Sequence, residues 1–149
     1  MAGFEVITVI DRPIDEVFAF LADGENDPKF SSRVQSMAKE TDGQPGVGTI
    51  YASTVKDGGV KTQRRFEYIE FVAPTRIRWR ELTKNPVVVP DGGYDLEPSG
   101  EGATRVRLHN ELEGRGIGKL IAPLALRSAR KGAAEFGRAI KQAVEAARR

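Results

Sequence analysis

The stretch "TRVRLHNELEG", residues 104–114, decides how the rest of the chain is read. Thr104, Val106, Leu108, Asn110 and Leu112 fall on one side of an extended chain, because strand side chains alternate with period two. Arg105, Arg107, His109, Glu111 and Glu113 fall on the other. With the apolar side turned to a core, His109, the single histidine of the chain, belongs to a charged outer face. Asn110 then becomes the only polar side chain in the inward series that runs from Val106 to Leu112.

Upstream of this stretch the same alternation recurs between turn signals. Candidate strands cover 33–40, 48–56, 60–71, 75–83, 86–96 and 103–113, separated by "TDGQPG", "KDGGV", "VAPT", "NP" and "EPSGEGA". Consecutive strands with short links imply an antiparallel meander. A further strand, Phe4 to Ile10, opens the chain. The period then changes: Ile14, Val17, Phe18 and Leu21 fit helical spacing, with Pro13 in the first turn, Asp15 and Glu16 near the N-terminus and Gly24 as a stop. Asn26 or Asp27 before Pro28 marks the start of a second short helix.

Downstream, the chain from Gly114 reads as one long amphipathic helix that Pro123 starts or kinks. Ile117, Ile121, Leu124, Phe136, Ile140 and Val144 form its apolar stripe, with Arg127, Lys131, Glu135, Arg138, Gln142 and Glu145 opposite. Ser128 and Gly132 sit on the stripe, between Leu124 and Phe136. Small residues there leave room for a ligand or allow close packing of helix on sheet.

Composition narrows the chemistry. At 149 residues the chain is expected to form a single domain, 1–149, and a chain of this size buries about 68–70% of its unfolded surface without staples. It has no cysteine, which excludes disulfides, thiolate metal sites and a cysteine nucleophile. Twenty-three basic against 21 acidic residues leave a net charge of +2, too little to point to a polyanionic partner. Only the short run "FEVITVI" precedes Asp11, with no basic n-region and no membrane span, so a soluble, cytoplasmic protein is expected.

A strand, two short helices, a meander and a long last helix make an α+β domain whose helix must bury its stripe against the sheet. In that order the chain resembles the START-like superfamily, the polyketide cyclase/dehydrase and lipid transport group. The resemblance rests on "VITVIDRPIDEVFAFLAD" near the start, "PGVGTIY" at 45–51, "EFVAPTRIRWR" at 70–80, "YDLEPSGEGATRVRL" at 94–108 and "IKQAVE" at 140–145. It implies a helix-grip fold, a curved antiparallel sheet wrapped around the C-terminal helix with a cavity between them. Phe30 departs from the tryptophan common at that place in relatives, and glycines 132 and 137 are unusual in the last helix.

Alternation supplies the candidate lining. Ile77, Trp79 and Glu81 face inward on one strand and Thr62, Arg64, Phe66 and Tyr68 on its neighbour, with Arg64 and Glu81 either near diagonal positions where long side chains can meet or near the sheet's end, reaching solvent. Tyr51, Ser53 and Val55 share the inner side, as do Tyr94 and Leu96. The candidate ligand-binding set is therefore Tyr51, Arg64, Tyr68, Trp79, Glu81, Tyr94, Asn110 and Ser128, aromatic bulk with a few polar handles, which suits a mostly apolar molecule. Taken singly, each inward tyrosine is more simply read as a core residue with its hydroxyl at the edge, and the set carries more than its members.

No catalytic constellation stands above this background. A Ser/His/Asp arrangement would need His109, whose strand phase turns it away from the pocket serines. "GRGIGK" lacks phosphate-loop spacing and context and reads as a flexible entry to the last helix. The arginines of strands 75–83 and 103–113 carry no interleaved aromatics, so nucleic acid is not expected, and Glu111 and Glu113 offset them. No metal or cofactor is expected. Three functions stay open: a carrier or sensor of a hydrophobic small molecule, a cyclase, aromatase or dehydratase working in the same cavity, and a protein-interaction module with a filled core.

Overall fold

The computed structural model describes residues 2–147. Strand β1 (Ala2–Ile10) leads into α1 (Ile14–Ala22) and a 3-10 helix (Gly24–Lys29). The meander follows as β2 (Val34–Lys39), β3 (Ile50–Asp57), β4 (Val60–Val72), β5 (Arg76–Glu81), β6 (Val87–Pro98) and β7 (Thr104–Gly114). The chain ends in α2 (Gly118–Lys131) and α3 (Ala133–Ala146). All strands belong to one seven-stranded antiparallel sheet in the order β1-β7-β6-β5-β4-β3-β2, so β1 closes the meander beside β7. This is the α+β helix-grip architecture that the resemblance implied, with the strand boundaries close to those read from alternation.

The helical segments differ more. Pro13 precedes α1 in an extended conformation and serves as its cap, rather than occupying the first turn. The 3-10 helix starts earlier than expected, because the Asp23 carboxylate accepts from the Glu25 amide at 3.1 Å and satisfies a donor freed at the helix start. Asn26 instead donates its side-chain amide to Phe20 O at 2.9 Å, tying this segment to α1.

The C-terminal region corrects the sequence reading in two ways. It is two helices, separated by Gly132, and α2 begins at Gly118, five residues before Pro123. Its rotation also differs: Gly118 and Leu126 are buried and Ala122, Ala125 and Ala129 half-buried, whereas Ile117, Leu120, Ile121, Leu124, Ser128 and Gly132 are exposed. Contact with the β5–β6 loop fixes this phase. Arg115 N donates to Pro86 O at 2.8 Å, and a Cβ on Gly118 would collide with the same carbonyl. Only in α3 does the expected stripe hold, with Gly137, Ile140 and Val144 buried against the sheet and Phe136 half-buried on Phe30, ring centroids 5.9 Å apart. Gly137 permits the close approach of α3 to β1, since a Cβ there would lie 3.3 Å from the Val6 side chain.

The core fills the space between the inner sheet face, α1 and α3. Val6, Ile10, Val17, Leu21, Ile77, Val106 and Ile140 are at most 3% exposed. A bulge in β4 shapes its inner face: Tyr68 pairs with Trp79 and Phe71 with Ile77, so two residues of β4 oppose one of β5. Phe71 thereby turns inward beside Tyr68, where simple alternation would place Glu70.

Candidate functional site

The inner sheet face carries a continuous aromatic floor. From β3 to β6 the ring centroids are 5.4 Å apart for Tyr51 and Tyr68, 6.5 Å for Tyr68 and Trp79, and 5.2 Å for Trp79 and Tyr94, and Phe71 stacks on Tyr68 at 6.0 Å. Tyr51 and Tyr68 are buried, and both hydroxyls donate to Ala22 O, at 3.2 and 2.9 Å, so they fasten the end of α1 to the sheet. Burial raises the Tyr51 hydroxyl above its ordinary pKa and holds Tyr68 and Tyr94 well above it, which keeps all three neutral.

Beyond this packed end the floor opens. Phe4, Trp79, Asn110, Leu112 and Phe136 face the space between sheet and helices yet are only half-buried, in contrast to Val6, Ile77, Leu108 and Ile140 beside them. Asn110 Oδ1 accepts from the Trp79 indole N–H at 3.0 Å, and the Asn110 amide nitrogen donates to no protein group among the described residues. Gly92, opposite Asn110 on β6, makes this pairing possible, because a Cβ there would collide with both Asn110 Oδ1 and Trp79 Nε1.

Arg64 and Glu81 meet as alternation suggested. Arg64 Nη1 lies 3.1 Å from both Glu81 oxygens and also donates to Val87 O at 2.9 Å. The Glu81 side chain is fully buried and further accepts from Thr83 Oγ1, from Asn85 Nδ2 at 3.2 Å and from the Val89 amide at 3.0 Å. With so many protein donors the carboxylate is already satisfied, and its evident work is to pin the β5–β6 loop to β4.

Asp27 is the residue that sequence reasoning missed. It had been read only as a helix start, yet the residue is half-buried, and no donor reaches its carboxyl oxygens among the described residues. Burial raises its pKa to about 7, with the Asp23 charge acting in the same direction. The three inner tyrosines, Tyr51, Tyr68 and Tyr94, lie within reach of its field. The Tyr94 hydroxyl likewise has no protein partner among the described residues. A cleft of about 450 Å³ adjoins this region, bounded by Phe18, Ala22, Asp23, Glu25, Lys39 and Phe71.

Two further expectations concern the surface. Ser128 lies on the exposed side of α2 and is not brought to the other candidates, because the helix turns its alanines to the sheet. His109 lies on the outer face as its phase required, but it is covered there: its side chain is 15% exposed, with Nε2 3.6 Å from Asp95 Oδ2 and no hydrogen bond. Burial lowers its pKa, and Arg107 and Arg78 push it the same way, so it is neutral at pH 7. The counter-charges of the outer arginines come from neighbouring strands rather than from Glu111 and Glu113: Arg78 pairs with Asp95 at 2.9 Å, Arg107 with Glu5 at 2.6 Å and Arg80 with Glu67 at 2.9 Å. His109→Gln is therefore expected to change stability by less than about 1 kcal/mol, since no bond is lost. Thermal unfolding at pH 7 checks this, and a larger loss would show that the imidazole holds the arginines in place.

Among the described residues no cluster of His, Cys, Asp and Glu is arranged to hold a metal ion, and no helix is long and apolar enough to cross a membrane. Residues 1–145 match the family model described as polyketide cyclase / dehydrase and lipid transport. Among solved structures, a protein from Thermus thermophilus is 20% identical, with 97% of this chain and 98% of that one covered and a TM-score of 0.79. The Zhui aromatase/cyclase from Streptomyces sp. R1128 is 17% identical, with 97% and 93% covered and a TM-score of 0.76. A START superfamily protein from Mycobacterium smegmatis is 14% identical, with 96% and 97% covered and a TM-score of 0.73. A search of curated protein sequences found no match.

Proposed function

Because the chain belongs to the polyketide cyclase / dehydrase and lipid transport family, we propose that it binds a largely apolar, ring-containing small molecule between the inner sheet face and the C-terminal helices. The observation that carries this reading is the half-open inner surface of Phe4, Trp79, Asn110, Leu112 and Phe136, set among neighbours that are fully packed. A core residue that faces inward without being covered leaves apolar surface for a ligand to cover. The free Asn110 amide donor, the Tyr94 hydroxyl and the Asp27 carboxyl supply polar handles, and all three can donate a hydrogen bond to a ligand oxygen. Of the eight residues expected from sequence, Trp79, Tyr94 and Asn110 fit this role best, while Tyr51, Tyr68, Arg64 and Glu81 frame the site.

Asn110→Leu is expected to weaken binding of a fluorescent hydrophobic probe severalfold. It should lower stability by about 1 kcal/mol, because the Trp79 N–H loses its acceptor but remains partly open to water. Probe titration and thermal unfolding on wild type and variant separate the two effects. Unchanged affinity with a large stability loss would assign Asn110 to an internal network, and a wild type without saturable probe binding would remove the ligand-binding reading.

A second reading, catalysis of cyclisation or dehydration in the same space, is favoured by Asp27. A carboxyl with a pKa of about 7 is divided between acid and base near neutrality, the condition in which general acid–base catalysis works best. Its neighbour Tyr94 stays a neutral donor. Structural likeness to an aromatase/cyclase agrees with this reading without selecting it. Turnover of a poly-β-ketone analogue by wild type, abolished in Asp27→Asn, distinguishes catalysis from carriage.

A further inference from the structure

We propose that the outward face of α2 is a docking surface for an anionic phospholipid membrane. The helix distributes most of its side chains in the reverse of the usual order: its small residues, Gly118, Ala122, Ala125 and Ala129, turn inward together with the buried Leu126, and its other large aliphatic ones face away. Ile117, Leu120, Ile121 and Leu124 are 68%, 75%, 43% and 68% exposed. They sit at i, i+3, i+4 and i+7, so they form one contiguous apolar stripe. Such a stripe left in water needs a partner.

Charge identifies the partner. The segment from Gly114 to Ala134 contains Arg115, Lys119, Arg127, Arg130 and Lys131 and no acidic residue. Arg130 donates to Gly3 O at 2.8 Å and Arg115 lies 3.9 Å from Glu113, while Lys119, Arg127 and Lys131 pair with no carboxylate among the described residues. A second copy docking through the same face would set these cations against each other. An anionic bilayer meets both halves of the pattern, the aliphatic side chains entering the acyl boundary and the cations resting on the headgroups. The helix is 14 residues long and lies along the surface rather than spanning it. This surface is separate from the inner site and does not depend on what that site binds.

Flotation of the full chain with phosphatidylcholine vesicles, and with vesicles one third phosphatidylglycerol, tests the proposal. At least about tenfold more protein is expected on the anionic vesicles, falling as salt is raised. The double substitution Leu120→Ser with Leu124→Ser is expected to abolish binding with an unchanged unfolding temperature, because both side chains are already exposed. The triple substitution Lys119→Gln, Arg127→Gln and Lys131→Gln should do the same through charge alone. Failure of the wild type to float with anionic vesicles would overturn the proposal, as would variants that bind like wild type. Light scattering on the same samples supplies the last outcome: a wild-type dimer that the leucine variant converts to monomer assigns the stripe to self-association and overturns it too.

Discussion

Arg64→Met is expected to lower the free energy of unfolding by about 3–5 kcal/mol, the range for removing one partner of a buried ion pair. Methionine keeps most of the side-chain volume, so the loss reports charge rather than a cavity. Glu81, fully buried, would keep Thr83, Asn85 and the Val89 amide as donors but lose the one cation that pairs with it among the described residues, and Val87 O would lose its donor. Arg65 provides the control. One position along β4 and on the outer face, it pairs with Glu40 at 2.7 Å with both side chains well exposed, and Arg65→Ala should cost no more than about 1 kcal/mol. Urea unfolding of the two variants makes the comparison. Adding Glu81→Gln to Arg64→Met should recover part of the loss, since an amide tolerates the same donors without an unpaired charge. Equal effects of the two arginine substitutions would mean that the inward pair contributes no more than a surface one.

The Arg64–Glu81 pair was legible even though the β4 bulge lies between Arg64 and the turn, because each residue was phased from apolar anchors on its own strand, Arg64 from Phe66 and Tyr68 and Glu81 from Ile77 and Trp79, and Phe66 pairs with Glu81. Two in-phase strands need only alternation and an approximate turn to bring diagonal positions together. Trp79 and Asn110 were legible for the same reason, although their mutual hydrogen bond depends on Gly92, whose missing side chain no periodicity reveals. Phe71 shows the limit. The β4 bulge inserts one residue after Tyr68, and every position beyond it changes face, which a pattern of hydrophobic and polar residues does not record.

In α2 the difficulty was of another kind. The helix has two apolar faces, one of small residues and one of large, and the reading from hydrophobicity chose the larger. Steric contact at Gly118 and Pro86 decided the other way, because alanines allow the helix to lie close to β7 while leucines would hold it off. Ser128 left the site with the face that carried it. Asp27 was invisible for a simpler reason: a 3-10 segment of six residues has too little periodicity to tell which way a side chain points.

Asp27→Asn is expected to alter how stability depends on pH, by as much as about 4 kcal/mol across the range from pH 4 to pH 8. In the unfolded chain the carboxyl titrates near its ordinary value of about 3.9. In the fold it holds its proton to about 7, because burial and the Asp23 charge disfavour the ionised form. Below pH 4 both states are protonated and the group contributes nothing. Between the two values only the folded state carries the proton, so stability falls as pH rises and levels off above the folded pKa. Asparagine has no proton to release, and the variant should gain on the wild type steadily through that interval. The tyrosines of β3, β4 and β6 that feel the Asp27 charge stay neutral throughout and leave the difference unmasked. Chemical unfolding of both proteins at several pH values measures it, and parallel curves would show that the carboxyl is open to water. Probe binding carries the same signature if the protonated acid donates to the ligand. Wild-type affinity should then drop as pH passes about 7, and the variant, which keeps an amide donor in the same place, should bind with a flat profile.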